Sequence, residues 1–133
     1  MVHYTVETKL SVQEAVNALE SELKSEQFGV LWQFDIQGKL IEKGFDFPGA
    51  YVVLEVCNPA EANRVLQETP LAGYFLPCKI VVYETQGKVS IGMLRPTALI
   101  SIMQNDVLQG IAADIEARLV SCIDRAVESR DDK

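Results

Sequence analysis

Cysteines stand at positions 57, 78 and 122, and the chain of 133 residues holds a single histidine, His3. These are the side chains whose chemistry is most easily put to use. Cys57 lies in the stretch VLEVCNPAEANRVL, where an apolar run ends and Asn-Pro follows at once. Asn58 is a good N-cap, Pro59 suits the first helical position, and Glu61 closes a capping box. Cys57 is thus expected just before a helix N-terminus. Unpaired amides and a partial positive charge there favour thiolate over thiol. Cys78 sits in LPCK, and Lys79 beside it adds positive charge if it reaches the same place. Two thiols at two strand ends suit either a redox or ligand-linked pair, or plain filling of a core, since cysteine behaves as a small hydrophobe.

Other groups fit around that nucleus. Asp35 caps a second helix start and is a candidate for the same region. Tyr51, Tyr74 and Phe75 can line a cavity, or simply pack. The residues expected to meet a ligand are Asp35, Cys57, Asn58, Tyr74, Cys78 and Lys79. No catalytic residue is assigned, and thiol chemistry, if present, would use Cys57 and Cys78. Glu55 shares a strand face with Cys57 by the two-residue period and would oppose thiolate formation there. Cys122 falls on a helical apolar stripe and reads as core. His3 falls on the polar face of a strand, with no local nucleophile or acid to form a triad. No C-x-x-C spacing supports a metal site, and no glycine-rich loop supports a nucleotide. Neither a metal nor a cofactor is expected.

The elements that must position these groups read as follows. Residues 2–9 alternate as a half-buried strand. Ser11 and Glu14 make a capping box for a helix to about Ser25, with Val12, Val16, Leu19 and Leu23 on one stripe. A strand covers Gly29–Phe34, and Asp35 caps a short helix that Gly44 ends in a left-handed turn. Pro48-Gly49 reads as a turn. Tyr51–Cys57 is a strand, followed by the 59–69 helix, with Ala62, Val65 and Leu66 facing the core and Pro70 stopping it. LAGYFLP is a connector pivoting on Gly73. Strands over 78–84 and 88–94 join at a Gln86-Gly87 hairpin turn. A short helical piece covers 98–103. The last helix, about 106–128, buries Leu108, Ile111, Ile115, Leu119, Cys122 and Ala126, and ESRDDK is a frayed tail. The two crossovers should be right-handed where they join parallel strands. The predicted fold is α+β: a small, mostly antiparallel sheet of about five strands with two main helices packed on it, plus short helical pieces.

One domain, residues 1–133, suits the length, and a chain of that size buries about two-thirds of its unfolded surface without metal or disulfide. The net charge of −7, with interspersed signs, speaks against binding nucleic acid or an anionic membrane. No window is long and apolar enough for a membrane helix, and the start MVHYTVETKL lacks the pattern of a secretory signal. Free thiols at wide spacing point to the cytoplasm.

FGVLWQFDIQGKLIEKG at 28–44, YVVLEVCNPAEANRVL at 51–66, LPCK at 76–79 and GKVSIGMLRP at 87–96 together resemble the DUF302 family, small bacterial and archaeal proteins without an assigned activity. The resemblance implies an antiparallel-rich sheet with helices, assembled as a homodimer. It matches Cys57 and Cys78 to cysteines that many members carry in their CNP and LPC motifs. The functional expectation is a small soluble homodimer that binds a small molecule or protein partner in a pocket near those motifs, leaning away from an enzyme. A thiol enzyme or redox sensor using Cys57 and Cys78, and a purely structural or interaction protein, are the alternatives.

Overall fold

A computed structural model of the chain describes residues 1–128, so most of the tail expected to fray lies outside the described residues. The chain runs β1 (His3–Thr8), α1 (Val12–Ser25), β2 (Gly29–Asp35), α2 (Ile36–Glu42), β3 (Tyr51–Cys57) and α3 (Pro59–Glu68). A 3-10 segment (Pro70–Phe75) leads to β4 (Cys78–Thr85) and β5 (Lys88–Leu94). Then come α4 (Pro96–Ile100), a short 3-10 turn (Ser101–Met103) and α5 (Asp106–Val127).

Local signals set most of these boundaries. The Ser11 hydroxyl accepts from the Glu14 amide at 3.1 Å, while the Glu14 carboxylate accepts from the Ser11 amide at 2.9 Å. That reciprocal pair starts α1 by satisfying two amides that have no helical partner. Gln86 and Gly87 both take positive φ, 54° and 79°, which gives the β4–β5 hairpin the handedness its strands need. Gly49 sits at φ +88°, and a Cβ there would run into the Glu84 carbonyl oxygen, so both conformation and space demand glycine.

The strands form one sheet in the order β1-β5-β4-β3-β2, with every neighbour antiparallel. The α+β expectation of a five-stranded antiparallel sheet with helices on it therefore holds. Among the described residues no strands are parallel neighbours for the crossover rule to act on. Helix α1 instead carries the chain from one edge strand to the opposite edge.

One sheet face is packed by helices. Leu54 and Val56 of β3, Ile80 and Val82 of β4, and Ile91 of β5 are fully buried there against Leu19 and Leu23 of α1 and Leu119 and Ile123 of α5. Each such side chain stabilises the fold by about 1.5–3 kcal/mol relative to exposure. The predicted stripe on α5 is buried throughout, Cys122 included. On α3 only Val65 is buried among the predicted apolar set, and Leu66 is 43% exposed. Gly73 is no pivot: residues 70–75 close on themselves as a 3-10 turn, with Thr69 capping the Leu71 amide.

Candidate functional site

The connection from β3 to β4 brings the two cysteine motifs to one end of the sheet. Val56 pairs with Cys78, so the chain leaves β3 and re-enters at β4 beside its own exit. Helix α3 and the 3-10 segment are the excursion between. Alternation along the strands then separates the two thiols. Cys78 shares its face with buried Ile80 and Val82, toward the helices, whereas Cys57 shares the outer face with Glu55. All three cysteines are free.

Neither motif thiol is biased toward thiolate. Burial pushes the Cys78 thiol up to about 11, with smaller contributions from Cys57 and Glu55. Burial also raises Cys57, against the expectation that the helix end lowers it. The amides at that end are already occupied: the Asn58 side-chain oxygen accepts from the Ala60 and Glu61 amides, and its Nδ2 donates to the Glu26 carbonyl. Buried Asn58 is therefore a structural clasp between α3 and the α1–β2 turn.

Lys79 points to the outer face and pairs with Glu55, its direct cross-strand partner, at 2.7 Å. It does not share the face of Cys78. Asp35 caps α2 through the Gly38 amide at 2.9 Å, yet it pairs with Val52 while Cys57 pairs with Gly29. It therefore stands at the far end of β3 from the cysteine motifs, because β2 runs antiparallel to β3 over its full length.

A cleft of about 670 Å³ opens at the end of the sheet where β4 begins and β5 ends. Its buried end is walled by Ala72 and Met93 together with Ile100, Leu108 and Leu119 from the α4–α5 region. Cys78 lines the cleft beside that apolar wall. The exposed rim carries Tyr74, Lys79, His3 and Thr5, and the cleft reaches Tyr51 and Phe75 as well. The three aromatic residues singled out in the sequence thus all line it. Of the expected ligand contacts, Tyr74, Cys78 and Lys79 do so, while Asp35, Cys57 and Asn58 do not. Ile100, Leu108 and Leu119 went unmarked in the sequence as ligand contacts, since an apolar stripe at helical spacing looks the same whether it faces a neighbour or a cavity.

Two polar clusters hold the walls. Glu116 of α5 is buried and accepts from the Thr97 amide at 2.9 Å, the Thr97 hydroxyl at 2.6 Å and Arg95 Nε at 2.9 Å. Burial opposes ionisation of that carboxyl, but the hydrogen bonds from Thr97 and Arg95 together outweigh it and hold it below the usual carboxylate range. This cluster ties the start of α4 to α5. Buried Glu61, expected to close a capping box, instead accepts from Arg118 Nη1 at 2.6 Å and from Arg64 Nη1 at 2.5 Å. Arg118 also donates to the Glu26 carbonyl at 2.8 Å and lies over the Phe28 ring at 5.0 Å. It thereby joins α3, α5 and the α1–β2 turn. Among the described residues no group of three or more His, Cys, Asp or Glu side chains could hold a metal ion, and no helix is long and apolar enough to cross a membrane.

Residues 4–126 match the model of a family described as a domain of unknown function, DUF302. Among solved structures, the chain is similar to an uncharacterised conserved DUF302 protein from Bacillus stearothermophilus. The two are 55% identical, the alignment covers 95% of this chain and 98% of that one, and the TM-score is 0.93. Nothing among curated proteins matches.

Proposed function

This chain belongs to the DUF302 family, and from that premise we propose that it is a binding domain that takes a small, largely apolar molecule into the cleft between the LPC turn and α4–α5. The observation that carries the reading is the cleft itself. Its volume of about 670 Å³ falls in the range of small-molecule sites, roughly 300–1,000 Å³. An apolar interior with a few polar groups at the rim is what such sites have in common. The thiol-enzyme alternative has less support, because the two sulfurs lie on opposite faces of the sheet and burial disfavours both thiolates.

The test is a titration with N-phenyl-1-naphthylamine, an uncharged dye that brightens in apolar surroundings. The wild-type chain is expected to give one saturable site. Ala112→Leu deep in the cleft and Leu99→Trp at its edge should each weaken binding at least about tenfold, by filling space the dye needs. Circular dichroism confirms that each variant is folded. Absence of a saturable signal from wild type, or unchanged binding in both folded variants, contradicts the reading.

The proposed protein partner is a second copy of the chain, in the reducing cytoplasm where free thiols persist. The exposed face of β2 supports this, away from the cleft, since Trp32, stacked on Phe34 at 5.0 Å, is 56% exposed. Sedimentation equilibrium should give twice the chain mass, and Trp32→Glu should shift it toward the single chain. A monomer at every concentration contradicts the pairing.

A further inference from the structure

The cleft is apolar at its buried end, and its rim holds charge of both signs in one place. Glu55 and Lys79 face each other across β3 and β4, and both border the cleft. The Lys79 ammonium lies 2.7 Å from one Glu55 oxygen and 3.4 Å from the other, so it is engaged by the whole carboxylate. The Glu55 side chain is only 17% exposed, whereas that of Lys79 is 57% exposed. The pair is therefore fixed from the carboxylate side: Glu55 is held under the rim and Lys79 is drawn to it. His3, also at the rim, has its Nδ1 at 2.9 Å from the Thr5 hydroxyl.

A charged head seated against this rim gives up part of its hydration. Among the described residues of the lining, an anion finds the one lysine already paired, and a cation finds the one carboxylate likewise paired. Either head gives up that hydration without gaining an unpaired counter-charge. An uncharged hydroxyl or carbonyl loses less and can bond to Tyr74, Thr5 or His3 at the rim. The overall charge of −7 adds a further bias against anions.

We propose that the Glu55–Lys79 pair makes the cleft selective for uncharged ligands: molecules with an apolar body and at most one neutral polar group. The inference rests on the cleft being a binding site and assigns that site its ligand class and its specificity-determining pair. Its sharpest consequence concerns the partners taken singly. Removing Glu55 releases the ammonium and turns the rim toward anions. Removing Lys79 leaves the carboxylate and turns the rim toward cations.

The experiment displaces N-phenyl-1-naphthylamine with decanol, decanoate and decylammonium, three ligands with one apolar body and three heads. With the wild-type chain near neutral pH, decanol should bind at least about tenfold more tightly than either ion. Glu55→Gln should raise decanoate affinity about tenfold and leave decanol within about twofold. Lys79→Met provides the mirror measurement, a gain for decylammonium, and does not depend on the first variant folding. Decanoate or decylammonium matching decanol on the wild type, or neither variant shifting its ion, overturns the selectivity while leaving the cleft as a binding site. Failure of all three ligands and of the dye to bind removes the binding site itself.

Discussion

Cys78 has the chemistry of a sheltered thiol. Its acidity is suppressed by burial to about 11, so near pH 7.5 its thiolate fraction falls on the order of a hundredfold below that of a free cysteine. Alkylation by iodoacetamide, followed by mass spectrometry on tryptic peptides, should be slower than for free cysteine by a similar factor. Rapid labelling of Cys78 at neutral pH would contradict this account. Because the folded-state value is raised, the neutral thiol contributes stability that is fully present below about 9 and lost as pH rises through about 11. The sequence showed that Cys57 and Cys78 end and begin strands, and the strands are where they were expected. It did not show that the two sulfurs straddle the sheet. That depends on the register of Val56 against Cys78, and a one-residue slip would have put both on one face. Lys79 carries the same lesson. Beside Cys78 in sequence, it belongs to the other face and to Glu55.

At the level of elements, caps and turns were legible because they are local. Ser11 with Glu14, Asp35 before α2, Asn58 before α3 and Gln86-Gly87 each act within a few residues. The ties between elements were not, since they join side chains far apart in the chain. Glu61 looked like a capping-box residue and is instead buried against Arg118 of α5. Glu116 gave no signal in the sequence, yet it holds the start of α4 through Thr97 and Arg95. Glu116→Ala should lower stability by about 2–3 kcal/mol, measured by urea unfolding near neutral pH, because it leaves the Thr97 donors and Arg95 without their acceptor. The wild-type carboxyl is held below its unfolded value, so its contribution is present above about pH 4.3 and is lost as pH falls through the lower folded value. The variant should lack that part of the acid-side slope. An unchanged unfolding midpoint would show that the α4–α5 wall does not depend on this cluster.

For the whole molecule, the arrangement follows from one layer of helices on one antiparallel sheet. A single layer covers one face and leaves the sheet's end open where α3, the 3-10 segment and α4 diverge, and the cleft lies there. The aromatic residues that line it were visible in the sequence, but its depth was not, since Leu108 and Leu119 fit an ordinary core stripe equally well. The most direct test follows backbone amides by two-dimensional nitrogen–proton NMR while decanol is added. Saturable shifts should cluster at Ala72, Cys78, Met93, Ile100 and Leu108, on both walls of the cleft and away from Trp32 and Asp35. Shifts centred on Trp32 and Asp35, or none beyond dilution, would contradict the claim that this cleft is built to hold a ligand.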